Sequence, residues 1–285
     1  MLAIGVRLIA VVCLCIMSAM IRMADLRGVS LIETMFYRNL FALPFLFGWV
    51  AALPGVASLK TARPGAHLSR SAVGLTGMVL TFSAYRLLPL AEATTISFTV
   101  PMFATLAAVL VLHEKVGRHR WGAVAVGFIG ILVIARPGGG GAAIPLLGAA
   151  AGLGSAMMTA VASILIRQLG RTEAATTTAF WFALFGAVVL AAFMPWAARA
   201  HDPATWGVLA ILGFTGAAGQ LALTTSLRFG AVSTVVTMDY SSLLWATGLG
   251  WLLFGQWPSP ATWLGAPLVI GSGLYIAWRE HRKSS

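Results

Sequence analysis

The chain has 285 residues, of which 59% are hydrophobic and only 9% charged, with a formal net charge of +11 and a mean hydropathy of +0.89. A soluble domain carries about 25% charged residues, so a secreted disulfide scaffold, a disordered tail and most soluble enzymes are excluded. What remains is a protein whose main solvent is lipid.

A membrane-crossing helix takes roughly 20 predominantly apolar residues. Apolar runs bounded by charge, Gly and Pro fall at 3–22, 30–53, 69–87, 91–112, 120–136, 145–167, 174–196, 204–226, 231–254 and 261–279. The segments left over are too short for a soluble domain, so any chemistry sits between helices or in short loops. The briefest breaks are expected around Pro89 and at Arg228-Phe229-Gly230, where Arg followed by Pro or Gly ends a helix. Cys13 and Cys15 lie two apart on the first span, point in different directions and are not expected to pair. The first run is followed by no A-x-A-like site and is expected to be a retained helix.

With ten spans both tails share one side. That side collects Arg7, Lys60, Arg63, Arg70, Lys115, Arg118, Arg120, Arg167, Arg171, Arg228, Arg279, Arg282 and Lys283. The other side holds only Arg22, Arg27, Arg86, Arg136 and Arg199, with Arg38 inside the second span. The positive-inside rule places both termini in the cytoplasm. Cations scattered over six short segments do not make the single basic face that nucleic acid requires.

Shifting the sequence by 142 residues lays 84–114 on 226–256, matching Arg86 to Arg228, Ala104 to Ala246, Thr105 to Thr247, Leu110 to Leu252 and Glu114 to Gln256. A one-residue slip then matches Gly122-Ala123 to Gly265-Ala266 and Gly130 to Gly273. Two five-span halves result, 1–141 and 142–285, joined at Gly138–Gly141. An odd span count inverts the second half, and inverted repeats hold a substrate site between them near the midplane. The fold expected is therefore all-α integral membrane, ten transmembrane helices in two inverted five-helix repeats. Small residues allow such helices to approach closely, as at Gly148 and Gly152, at Gly213, Gly216 and Gly219, at Gly122, Gly127 and Gly130, and at Gly265, Gly271 and Gly273. Pro44, Pro101 and Pro267 each remove a backbone hydrogen bond within a span, and Thr94, Thr95, Ser97 and Thr99 stand ready beside Pro101.

Several stretches carry a resemblance. They are Phe36-Tyr37-Arg38-Asn39, the run Ala84-Tyr85-Arg86-Leu87-Leu88-Pro89-Leu90-Ala91-Glu92-Ala93, Val100-Pro101-Met102-Phe103-Ala104, and Leu112-His113-Glu114-Lys115 followed by Trp121-Gly122-Ala123. Over nearly its whole length the chain resembles the EamA-type branch of the drug/metabolite transporter superfamily. The resemblance implies export or exchange of amino acids and similar metabolites across the bacterial inner membrane, with a small-molecule substrate and a monomeric carrier. The second half departs from the pattern, with Gln256 in place of the Glu and Trp257-Pro258-Ser259-Pro260 after it.

Arg38 is the most unusual residue, about 12 Å into its span by the helical rise. A charge at that depth faces a cavity or a partner, here either a substrate carboxylate or a structural ion pair. Asp239 is the other deep charge, at a similar depth, open to pairing with Arg38, to taking a proton or to holding a substrate amine. Ser155, Thr159 and Ser163 share a face of the sixth span, as do Gly216, Gln220 and Thr224 on the eighth. Gln220 has four bonding positions to satisfy in a dry interior. Tyr85, Trp181 and Trp245 are expected as aromatic cavity walls, and Phe98 and Tyr240 complete the candidate set. The substrate is expected against the third, fourth, sixth, eighth and ninth spans.

No nucleotide-binding G-x-x-x-x-G-K-[ST] loop is present, and no zinc motif: His113 and His119 share a basic loop without thiols. No cofactor or metal is expected. A membrane enzyme would need clustered polar groups at one face, for which His113, Glu114, Lys115, His119 and Arg120 are the sole candidates and read better as a positive-inside loop. A passive channel would need a charged or carbonyl ring that the sequence does not supply. A carrier for another metabolite, such as a nucleoside-like compound, is the alternative within the transporter class.

Overall fold

The computed structural model describes residues 2–52, 55–112, 117–135, 145–170, 172–229 and 238–284, and these are helical with short connections and no strand among them. The helices are α1 (Leu2–Leu26), α2 (Leu31–Ala52), α3 (Pro64–Leu87), α4 (Leu90–Ser97), α5 (Val100–Leu112), α6 (Arg118–Ala135), α7 (Leu146–Leu169), α8 (Ala175–Ala191), the single turn α9 (Met194–Ala197), α10 (Pro203–Phe229), α11 (Ser242–Phe254) and α12 (Pro260–Ser284). Short 3₁₀ turns lie at Val56–Leu59 and Met238–Ser241. The basic loop at His113–Lys115 with Glu114, the glycine joint Gly138–Gly141 and residues 231–237 of the ninth span lie outside the described residues.

By length and composition, six described helical segments are able to cross a membrane: Ala3–Leu26, Leu31–Ala52, Leu90–Ala107, Leu146–Ile166, Pro203–Leu223 and Pro260–Trp278. Trp121–Ala135 and Ala175–Ala191 are shorter apolar helices.

The interruptions have local causes. Pro44 and Pro267 are carried inside unbroken helices, whereas the fourth span divides between Ser97 and Val100. Pro101 sits in the first turn of α5, where its missing N–H costs nothing, and it disfavours helical backbone before it. The hydroxyls of Thr95, Ser97 and Thr99 donate to the carbonyls of Ala91, Thr94 and Ile96 at 2.7, 2.6 and 2.7 Å, so the break is satisfied from within, as the sequence leads one to expect. Of the break expected at Arg228-Phe229-Gly230, α10 carries the first two residues and is described as far as Phe229, while Gly230 lies outside the described residues.

The main pairings exchange in a regular way. The first helix, α1, lies along α10, and α3 lies along α7. The second helices of the two stretches meet as α2 on α8, and the last ones as α6 on α12. One apolar core gathers Ile21, Met35, Phe82, Phe182 and Leu209 from α1, α2, α3, α8 and α10. Another gathers Ile96, Met102, Ile134, Ala149 and Val269 from α4 to α7 and α12.

Close approach depends on particular glycines. A Cβ on Gly265 would stand 2.5 Å from the Gly130 carbonyl oxygen, and one on Gly130 would stand 2.9 Å from the Gly265 carbonyl oxygen, so α6 and α12 cross backbone to backbone. Gly148 and Gly152 of α7 seat Leu88 and Ile96, while Gly219 of α10 seats Leu14. Gly122 and Gly271, by contrast, face open space, so their expected packing role is not seen. Gly265→Ala is expected to cost about 1–3 kcal/mol through forced separation of α6 and α12. A thermal melt in detergent reads this as a lowered Tm, with Gly271→Ala as the neutral control.

Candidate functional site

Helix α2 begins with a reciprocal cap. The Ser30 N–H donates to Glu33 Oε2 at 3.0 Å and the Glu33 N–H to Ser30 Oγ at 3.2 Å. From this anchored start Arg38 is carried inward, where its side chain is almost fully buried. Its neighbour Asn39 is held by donating to the Met35 carbonyl at 2.8 Å, and Arg38 Nη1 donates to Asn39 Oδ1 at 3.2 Å. Arg38 Nε has no hydrogen-bond partner.

A second buried arginine faces it. Helix α3 starts at Pro64, so Arg70 lies two turns in rather than in the loop charge count. Its guanidinium carbon stacks 3.9 Å from the centre of the Phe182 ring, and that of Arg38 lies 5.7 Å from the same ring. Gly74, one turn along α3, makes room: a Cβ there would stand 2.8 Å from both Arg70 Nη1 and the Phe182 ring. Arg70 Nε and Nη1 also lack partners, and among the described residues no carboxylate lies within salt-bridge distance of either arginine. Burying one unpaired ion costs several kcal/mol, and this site holds two.

The arginines line a cavity of about 310 Å³. The void exists because α2, α8 and α10 present alanines to one another at Ala42, Ala175, Ala179, Ala183 and Ala217. Gln220, Thr178 and Glu173 add polar wall. The lining comes from the later part of α2, the first turns of α3 and α8, the end of α7 and the middle of α10, so the cavity lies toward the end of the bundle at which α7 gives way to α8.

At that end the α2–α3 connection is fastened to α8. Thr177 Oγ1 donates to the Ser58 carbonyl at 2.8 Å, Trp181 Nε1 to the Leu59 carbonyl at 2.9 Å, and Thr61 Oγ1 to Glu173 Oε1 at 2.7 Å. His67 is buried with its Nε2 3.8 Å from Glu173 Oε2. Burial holds the His67 imidazole below its ordinary value, against the opposing pull of the Glu173 carboxylate.

The opposite end is closed by charge. Asp25 of α1 accepts from Arg86 of α3 at 2.6 and 2.5 Å. Glu33 Oε1 receives the Arg199 N–H and lies against His201 Nε2, both at 2.9 Å. Asp202 accepts from Thr205 at the start of α10 and lies 3.7 Å from Arg27. The Thr205 hydroxyl bond holds the Asp202 carboxyl below the usual carboxylate range.

Of the ten residues singled out from sequence, Arg38 and Gln220 line this cavity. Asp239 does not meet Arg38. It is gripped by Arg7, whose Nε and Nη2 donate to its two oxygens at 2.6 and 2.5 Å. Arg7 also donates to the Leu223 carbonyl at 3.1 Å and Ser226 Oγ at 3.3 Å, tying α1 to the C-terminal part of α10. Trp181 spends its N–H on the loop rather than the cavity, and Tyr85 packs where three apolar clusters meet, beside Ser18 and Thr94. Phe98 and Tyr240 pack against each other, with ring centres 5.0 Å apart and planes tilted by 55°. Ser155 is buried but off the cavity lining, Thr159 is exposed, Trp245 is 45% exposed, and the Thr224 side chain lies outside the described residues. Among the described residues the expected fourth and ninth spans contribute no lining residue, while the second and seventh do. Sequence reasoning missed Arg70 and Phe182. The signal for Arg70 was its position inside the third apolar run, with Gly74 one turn away on the same face.

The EamA-like transporter family profile matches residues 1–136 and 146–278. A riboflavin transporter of Rhizobium johnstonii is 30% identical over 86% of this chain and 78% of its own. An S-adenosylmethionine uptake transporter of Rickettsia bellii is 28% identical over 88% of this chain and 83% of its own. A pseudopaline exporter of Pseudomonas aeruginosa is 30% identical over 71% of each chain. A protein of known crystal structure shares the fold with a TM-score of 0.64 at 20% identity, over 99% of each chain.

Two expectations follow. Asp239→Asn and Arg7→Met each strand a partner and are expected to cost about 3–5 kcal/mol, whereas the double variant is expected to cost less than the sum; thermal melts of all four proteins give the coupling. Asp25→Asn is expected to raise hydrogen–deuterium exchange over residues 24–31 and 198–206 in nanodiscs and to leave residues 170–180 unchanged.

Proposed function

Because this chain belongs to the EamA-like transporter family, we propose that it is a ten-helix carrier built of two inverted five-helix halves, 1–141 and 142–285, exporting or exchanging amino acids or similar small metabolites by alternating access. Family membership makes it a membrane transporter with a small-molecule substrate. The observation that carries the finer reading is the cavity between α2 and α3 of one half and α7, α8 and α10 of the other, with Arg38 and Gln220 in its wall.

The inverted repeat is supported by the exchanging pairings α1–α10 and α3–α7, around α2–α8 and α6–α12. It is further supported by the division of the family match on either side of the glycine joint. A cavity toward one end and ion pairs across the other is the arrangement expected of one state of a rocking carrier. In the opposite state the Asp25–Arg86 and Glu33–His201 contacts would part. The lysine and arginine bias orients both termini to the cytoplasm of a bacterial inner membrane. We place substrate at Arg38 and Gln220, and assign Asp239 a bracing role through Arg7.

Relatives bear the names of different solutes. S-adenosylmethionine joins a nucleoside to an α-amino-acid end, so it spans both substrate readings, amino acid and nucleoside-like. Riboflavin has no carboxylate. Buried guanidinium groups favour the amino-acid reading, because charge-assisted bonds to a carboxylate are the strong ones.

The test is uptake of labelled amino acids into proteoliposomes, with and without internal amino acid and with and without a pH gradient. Saturable uptake, increased by internal amino acid, is expected. Arg38→Ala is expected to lower it roughly 10- to 100-fold, the equivalent of about 1.5–3 kcal/mol, in a protein that still melts cooperatively. Folded protein that takes up no amino acid would move the substrate to another metabolite. A pH-gradient dependence abolished by Asp239→Asn would overturn the bracing role.

A further inference from the structure

Arg38 and Arg70 are both more than nine-tenths buried, both line the same cavity, and both present unbonded nitrogens. They approach one Phe182 ring, so two like charges are concentrated around a single apolar surface. Repulsion and desolvation both act against such a pair unless a negative group completes it. Among the described residues none supplies that group: Glu173 lines the cavity but lies beyond salt-bridge distance of both arginines and is engaged by Thr61. Asn39 accepts from Arg38 Nη1 and the Phe182 ring lies under Arg70, so both guanidinium groups are held in the cavity wall without an anionic partner among the described residues. A planar guanidinium held flat on a ring recognises oxygen pairs along its edge, which is the geometry of carboxylate and phosphate.

We infer that Arg38, Arg70 and Phe182 form a built anion site, and that the solute this protein binds carries a carboxylate or phosphate end that is held there. The inference deepens the proposed transport site and rests on that cavity being where solute binds. It makes Arg70 a second substrate ligand and Phe182 the platform that orients it. It sets a neutral solute such as riboflavin apart from anionic or zwitterionic ones. A lipid headgroup phosphate offers the same chemistry as a free anion, so the two sources are separated in the test.

The full chain is placed in phosphatidylcholine nanodiscs and its melting followed by tryptophan fluorescence, in sodium glutarate against sodium chloride of equal ionic strength. Glutarate is expected to raise the Tm by several degrees in the native protein and in Arg199→Gln, which removes an unrelated cation. Arg70→Gln is expected to abolish the shift. Should that variant not fold, Arg70→Lys keeps the charge without the fork and is expected to raise the half-saturating glutarate concentration about 10-fold. If instead phosphatidylglycerol nanodiscs stabilise the protein without glutarate, and Arg70→Gln removes that effect, the site stands with a lipid headgroup as its anion. Equal melting in glutarate, chloride and phosphatidylglycerol overturns the inference, as does a shift that Arg70→Gln or Arg70→Lys leaves unchanged. Because binding is read at equilibrium, failed uptake with an intact glutarate shift would sink the transport reading and leave the anion site standing.

Discussion

A polar group without a partner in a low-dielectric interior costs several kcal/mol, and that penalty organises this chain at every scale. It explains why the described residues are helical, since a helix satisfies its own backbone. It explains why the interruption before Pro101 is surrounded by hydroxyls that return to carbonyls one turn back. The same penalty explains the fate of the acidic side chains. Glu33 receives bonds from the Ser30 and Arg199 backbones and lies against His201, and Glu92 accepts from the Ser259 N–H and the Thr262 hydroxyl. Each carboxylate therefore joins segments that are distant in sequence, and the polar groups become the fasteners of an apolar bundle.

Against this background the cavity is an exception with a direction. Elsewhere a buried arginine finds a fork to fill, as Arg7 does with Asp239. Arg38 and Arg70 find an aromatic ring and each other. Both border the same cavity, and among the described residues neither has a carboxylate partner. The contacts at the far end, Asp25 to Arg86 and Glu33 to His201, are of the opposite kind: short, and between residues far apart in sequence. Completed pairs at one end and incomplete ones at the other give the molecule a polarity along its helices.

Much of this was legible in the residues. Apolar run length gave the helices, and the depth of Arg38 marked it before any geometry was known. The Ser-x-x-Glu at 30–33 behaves as its spacing requires. Three things were not legible. Counting charges by loop cannot see that Arg7 and Arg70 begin their helices early enough to be drawn inside. Depth along the chain says nothing about azimuth, so of the roles open to Asp239 the sequence does not show that α1 presents Arg7 to it. Aromatic residues adjacent in sequence point about 100° apart on a helix, so Trp181 and Phe182 divide their roles between loop and cavity.

The close packing at Gly74 reaches beyond its own helix. Arg70 and Gly74 belong to α3 and Phe182 to α8, so the stack that orients one arginine also holds the two stretches of chain together. A side chain cannot be added at 74 while a full ring stands at 182, and a smaller residue at 182 leaves Arg70 without its platform. The three positions are thus coupled: room for a side chain at 74 calls for a smaller group at 182, and that change takes away the surface over which the Arg70 guanidinium lies.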